Sequence, residues 1–216
     1  MRYVATTESI DAKHLVNGYA WADVAGGAVV DVYCARPAAI VDAGRQATEA
    51  TLPTYVLSRN EFHGHDFMQL QSFTNGAVYL LQMISHDWPD HVAVSILKNL
   101  VPVLEMRAKK GKEGTARILI VDKVMPTLGQ IPVSVERVVR VRDMTMMQVF
   151  NSRERALEQL RALLLSADEG LQLRQVVASC GSALSLLEVE VAEVVGVEED
   201  GGKVPEDGVD IWEISG

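Results

Sequence analysis

The chain has 216 residues, 48% of them apolar, with a mean hydropathy near zero, enough for one well-cored globular domain. Its 29 acidic and 20 basic residues give a net charge of −9, the opposite of the basic face that nucleic acid requires, so small molecules or other proteins are the expected partners. No apolar run approaches the ~20 residues of a membrane span, the start "MRYVATTESIDAKHL" lacks a signal-peptide core, and Cys34 and Cys180 are too few for a disulfide framework. A cytoplasmic setting without membrane attachment is expected.

Residues 1–28 are mixed and polar and read as a linker that ends in the turn "AGG", Ala25–Gly27. Strand-like and helix-like segments then alternate over residues 29–195, which predicts an α/β domain with a mostly parallel sheet. Val29–Val32 reads as the first strand, Ala39–Asp42 as a second and Glu61–Asp66 as a third. Ala77–Ile84, "AVYLLQMI", is a continuous apolar run suited to a central strand buried on both faces. Pro89 opens a helix running to about Leu104. "ARILIVDKV" is a second buried strand, Val133–Phe150 and Arg153–Leu165 are helices, and Leu171–Val177 with Ala183–Val191 form a terminal hairpin. Residues 196–216 are an acidic tail, with Glu198–Gly208 expected as a mobile loop.

His86 stands where the central strand meets the next helix, the edge at which an open parallel sheet gathers its ligands. Its unperturbed pKa near 6.5 would let it take a hydroxyl proton; the other reading is that His86 and Asp87 tie down a loop. "HDWPDH", with His86, Asp87, Asp90 and His91, and "HGHD", His63–Asp66, lack the spacing of a zinc motif, so no metal is expected. Met144, Met146 and Met147 recur at helical spacing and are expected to fill the core, a wall for a flat aromatic ligand being the other reading.

Together "HLVNGYAWADVAGGAVVDV", "VYLLQMISHDWPDHVAVSILKNLVPVLE", "ARILIVDKVMP", "NSRERALEQLRALLLSADEG" and "GSALSLLEVEV" resemble the plant- and fungal-type S-adenosylmethionine-dependent O-methyltransferases, especially those of fungal secondary metabolism. The resemblance runs in order from about residue 12 to 192. It implies a Rossmann-like class I methyltransferase domain, with S-adenosylmethionine as cofactor and a phenolic or polyketide hydroxyl as acceptor. Carried over by motif, His86 is the general base, and Asp122 in "IVDKVMP" and Glu154 in "RERA" are the acids that orient it. Asp66 and Phe67 would contact the adenine, and Asp42 is the best match for the ribose acid. Asp143 and Met147 would line the acceptor pocket.

Two departures stand against this likeness. The family follows its first strand with a glycine-rich loop and a helix, whereas here only Tyr33–Ala38, six residues, separate "VVDV" from "AAIVDA". Six residues reach at most about 20 Å, and a parallel crossover with a packed helix needs roughly a dozen residues or more. The domain therefore reads as truncated, and weak cofactor binding is expected. Gln82 also stands where the family carries Arg or Lys. The second departure is the family's N-terminal helical domain, which pairs protomers and closes the acceptor pocket and is expected to be missing. Without these parts, an uncovered sheet face and exposed helices, including Val138, Val139 and Met146, would favour a homo-oligomer or pairing with a full-length relative. A catalyst independent of the cofactor, a non-catalytic partner in the pathway, and a chain without independent function stay open beside methyl transfer.

Overall fold

The computed structural model describes residues 12–24, 27–32, 46, 53–54, 61, 63–109, 115–178 and 182–192. One sheet contains β1 (Ala28–Asp31), β2 (Gly76–Gln82), β3 (Arg117–Asp122), β4 (Leu171–Ala178) and β5 (Ser185–Val191), in the spatial order β1-β2-β3-β5-β4. β1, β2 and β3 run parallel, β5 is antiparallel to β3, and β4 is antiparallel to β5. The mostly parallel sheet closed by an antiparallel hairpin agrees with the α/β class read from the sequence. The predicted second strand, Ala39–Asp42, both cysteines and the acidic tail lie outside the described residues.

The two apolar runs are strands because both of their faces are buried. Ile118 and Ile120 of β3 join Tyr79 and Leu81 of β2 in one cluster, and Leu119 and Val121 join Val78 and Leu80 in another. That is the alternation of a strand, with residues i and i+2 on one face. The first cluster is roofed by α2 (Asp90–Lys98), α3 (Val101–Ala108) and α5 (Leu157–Ala167), through Ile96, Leu97, Leu104, Leu160 and Leu164. The second is covered by α1 (Ala12–Gly18) and the turn after it, through Leu15, Tyr19, Trp21 and Val24. At β2 and β3, therefore, the sheet face expected to be bare is covered, by residues read from sequence as polar linker.

Four further expectations are corrected. Glu61–Asp66 shows no strand among its described residues: His63 pairs with Glu61 on the surface, and the Asp66 carboxylate turns the chain by accepting the Met68 N–H at 3.1 Å. The helix predicted from Pro89 to Leu104 is two helices, α2 and α3, broken at Asn99–Leu100 just before Pro102, which has no N–H to continue the ladder. The break frees Asn99, whose side chain donates to the Phe67 carbonyl at 2.9 Å. The helix predicted from Arg153 starts at Leu157, leaving Arg153–Arg155 extended.

The last correction concerns α4 (Val133–Phe150), which buries only Val139. Val139, expected to be exposed, is therefore covered, while Val138 is exposed and Met146 half-buried. Met144 and Met147, expected in the core, face solvent with Val135 and Val141 because the helix touches the domain along one narrow face.

Candidate active site

The site forms where β2 and β3 end together. Met83, at a φ of 53°, turns the chain out of β2 into a single 3-10 turn, Ser85–Asp87, that carries His86. Asp122 is the last residue of β3 and 2% exposed. Glu154 arrives from the other side. Asn151 ends α4 in the left-handed conformation that asparagine tolerates, and the chain then returns extended beneath the turn. There Arg155 bridges Val124 in parallel fashion, and the Glu154 N–H donates to Asp143 Oδ1 at 2.9 Å.

His86, Asp122 and Glu154, matched by motif, are thus brought together. His86 is 6% exposed, and its Nδ1 donates to Asp122 Oδ1 at 2.5 Å. Asp122 also accepts the Ser85 hydroxyl, the His86 N–H at 3.2 Å and the Lys123 N–H at 3.0 Å. Glu154 Oε2 lies 3.8 Å from His86 Nδ1 and has no hydrogen-bond partner among the described residues. Nε2 of His86 faces Asp87 Oδ1 at 3.3 Å.

Burial pushes the His86 pKa down, but the hydrogen bond and charge of Asp122, with the charges of Glu154 and Asp87, outweigh it and raise the group to about 9. Burial raises Glu154 to about 6, with the imidazolium opposing and Asp122 reinforcing. A buried histidine bracketed by carboxylates holds its proton more tightly than a free imidazole does.

Sequence reasoning missed Ser85, Lys123 and Arg155, and named Asp87 only as a loop tie or a metal candidate. Ser85 adds a hydroxyl to the Asp122 shell, and Asp87 caps Nε2. Lys123 lies within electrostatic reach of Glu154 and Arg142; burial and the Arg142 charge hold its ammonium below the usual lysine range. These cations stand near the site although Gln82 supplies none. Arg155 lies beneath the histidine turn, bonded to Ser85 O, Trp88 O and Asp90. The "RER" block carried that signal, but an extended backbone there was not legible in a helix-like pattern.

The metal readings of the sequence do not converge. Asp90 is drawn to Arg153 and Arg155, and His91 is exposed. The ligand atoms of His86, Asp122 and Glu154 do lie within 4.8 Å of one another. A cation there would have to displace the proton that Nδ1 shares with Asp122.

Among the described residues, Asp66 and Phe67 offer the kind of groups that an adenine takes. Val32, His65, Phe67, Gln69, Gln71 and Asn99 line a shallow surface depression near the end of β1. Phe67 is 3% exposed, its ring set edge-on to Trp88 at 5.8 Å, and Asp66 is half-buried beside it. An apolar floor next to a carboxylate acceptor suits an adenine with its amino group. Asp42, matched to the ribose acid, lies outside the described residues. Asp143 spends Oδ1 on the Glu154 backbone, and Met147 is exposed on α4.

Comparison with known proteins bears on this geometry directly. The family described as the O-methyltransferase domain matches residues 23–169. The O-methyltransferase pgmB of Aspergillus terreus is 40% identical over 213 residues, covering 89% of this chain and 47% of its own length. The chain spans about half the length of the curated relatives it matches. Among solved structures, LepI in complex with SAM superposes with a TM-score of 0.55 at 31% identity, over 68% of this chain and 34% of that one. A structure described as a pericyclic reaction enzyme superposes at 0.59 with 26% identity, over 83% of this chain and 46% of that one. A match that runs through the parallel half of the sheet and the histidine turn alike places this chain in the O-methyltransferase domain family.

Proposed function

We propose that this domain methylates a phenolic or polyketide hydroxyl, with residues 29–195 as the catalytic unit. The observation that carries the reading is His86 itself, a buried imidazole at the strand edge, its Nδ1 held by Asp122 at 2.5 Å and its Nε2 turned the other way. S-adenosylmethionine, when bound, would supply an electrophilic methyl group whose bond to the sulfonium sulfur breaks, with S-adenosylhomocysteine as the leaving group. Nε2 takes the proton of the acceptor hydroxyl as its oxygen forms the new bond to that methyl carbon. Asp122 keeps the second ring proton on Nδ1 and so fixes which nitrogen is the base. Glu154 stabilises the imidazolium from 3.8 Å, and Asp87 must cede Nε2 to the acceptor. Asp66 and Phe67 hold the adenine, Asp42 the ribose, and Asp143 and Met147 border the acceptor. Much of the acceleration comes from holding hydroxyl and methyl in line.

A cytoplasmic setting is the reading the two cysteines support, and no helix among the described residues is long and apolar enough to cross a membrane. The exposed apolar side chains Val135, Val138, Val141, Met144 and Met147 spread around α4, and with Leu128 80% exposed near its start they suit a second copy or a full-length relative. Light scattering is expected to show self-association, with apolar dye binding where these side chains stay free. A monomer that binds no dye would count against it.

The test is to incubate the chain with S-adenosylmethionine and a panel of phenols and follow methyl ether formation by mass spectrometry. Product is expected, with a cofactor Kd weaker than about 1 μM, or less than about 8 kcal/mol of binding, because the glycine loop after Val32 is missing. No product at saturating cofactor would refute the proposal. The likeness to a pericyclic reaction enzyme favours one second reading, a cofactor-independent cyclisation or dehydration at the same histidine. Conversion of an acceptor without cofactor would select it.

A further inference from the structure

We propose that Arg155 is a positioning residue, whose guanidinium clamps both ends of the histidine turn and so sets where His86 meets Asp122 and the acceptor. The inference rests on His86 being the base.

The turn is poorly held by its own backbone. Its two internal hydrogen bonds, Asp87 N–H to Ile84 O and Trp88 N–H to Ser85 O, are long at 3.2 and 3.4 Å. It follows Met83, a side-chain-bearing residue in the left-handed region at φ 53°. Such a segment keeps one geometry only when its surroundings impose it. Asp122 supplies one restraint, through the Ser85 hydroxyl, the His86 N–H and the ring.

Arg155 supplies the other. It is 2% exposed, donates from Nη1 to Ser85 O at 2.5 Å and from Nη2 to Trp88 O at 2.7 Å, and so spans the turn carbonyl to carbonyl. Its Nε and Nη2 are anchored on Asp90 Oδ1 at 3.0 and 2.8 Å, and Ser152 Oγ donates to the same Trp88 carbonyl at 2.6 Å. The backbone of Arg155 is itself fixed, its carbonyl accepting the Met125 N–H at 2.8 Å just beyond β3. Glu154 rides on the same short extended stretch. One segment therefore sets the height of the His86 turn and delivers the second carboxylate to its ring. A planar fork of several donors can do this; the single ammonium of lysine cannot.

The test uses the full chain and two variants, Arg155→Lys, which keeps the charge and loses the fork, and Arg155→Met. The titration of the His86 ring is followed by NMR, which needs neither cofactor nor turnover, and kcat and KM are measured beside it. If the clamp positions the turn, the midpoint falls from about 9 towards 6.5 in both variants as the ring drifts from Asp122 and Glu154, further in the methionine form. Losing a nearby cation without movement would raise the midpoint, so direction separates the two causes. kcat should fall about 10- to 100-fold with the acceptor KM within roughly threefold, and less in the lysine form. A folded variant with an unmoved or raised midpoint overturns the proposal. Should neither variant fold, Asp90→Asn, at a half-exposed position, removes the charged anchor of the fork and so loosens both carbonyl bonds. In about 0.5 M salt, which screens the direct effect of that carboxylate, its midpoint should still fall, and an unchanged value again overturns the proposal. A lowered midpoint in a protein whose turnover ignores His86 would sink the functional reading and leave the clamp standing.

Discussion

Replacing His86 by Ala is expected to lower turnover by roughly 10²–10⁴-fold, the range for loss of a positioned general base. The expectation follows from the geometry: Nε2 is the ring nitrogen not held by Asp122, carried on a buried turn at the sheet edge. The cofactor KM should stay within a few-fold, because Asp66 and Phe67 lie on a different segment. Asp122→Asn should cost nearly as much, since an amide can present its NH₂ to Nδ1 and turn the wrong nitrogen outwards. Glu154→Gln should cost less, its carboxylate lying 3.8 Å from the ring and not in contact with it. Steady-state kinetics on one phenolic acceptor decides the order. A His86→Ala enzyme within threefold of the parent would show that the base lies elsewhere.

The rate should climb with pH and level off only near pH 9. His86 must be neutral to accept a proton, and its carboxylate neighbours hold the pKa at about 9. At pH 7 only about 1% of the sites are then competent, so kcat/KM should sit about a hundredfold below its plateau. Such a base is well matched to its task, because a simple phenol has a pKa of about 10 and proton transfer between the two is nearly balanced. In His86→Gln the break should move to the pKa of the acceptor itself. A parent profile that is flat from pH 6 to 8 would contradict the assignment.

The same group makes stability depend on pH. Its folded pKa is raised above the unfolded value of about 6.5, so its contribution is complete below that value and is lost as pH rises through about 9. The amount is on the order of 3 kcal/mol. Glu154, raised to about 6, acts with the same sign lower down: its contribution is present below its unfolded value and lost through about pH 6. Urea unfolding at pH 7 and pH 10 should therefore show a loss in the parent that His86→Ala lacks.

Local chemistry made much of this legible in advance. Apolar continuity in "VYLL" and "ILIV" identified two strands buried on both faces, since runs this short and rich in β-branched residues suit a central strand better than a helix. The α4 boundaries and the terminal hairpin followed from period and turn residues. The motif likeness named His86, Asp122 and Glu154, which the fold brings within 4.8 Å of one another.

What the pattern misjudged depended on partners distant in sequence. Residues 12–24 look polar, yet four of their side chains cover Leu119 and Val121, about a hundred positions later. Met144 and Met147 have the spacing of core residues, but which face of α4 meets the domain is decided by where β3 and the returning 151–156 segment place it. The extended course of Arg153–Arg155 overrides a helix-like composition because the Val124 bridge and the clamp on Ser85 and Trp88 offer more bonds than one further helical turn. The sequence by itself determined the strands β1, β2 and β3, the closing hairpin and three side chains that meet at one sheet edge, because side-chain periodicity and motif are local. Only the tertiary structure decided how tightly His86 holds its proton and what supports it, because burial and hydrogen bonding come from chain segments that meet only on folding.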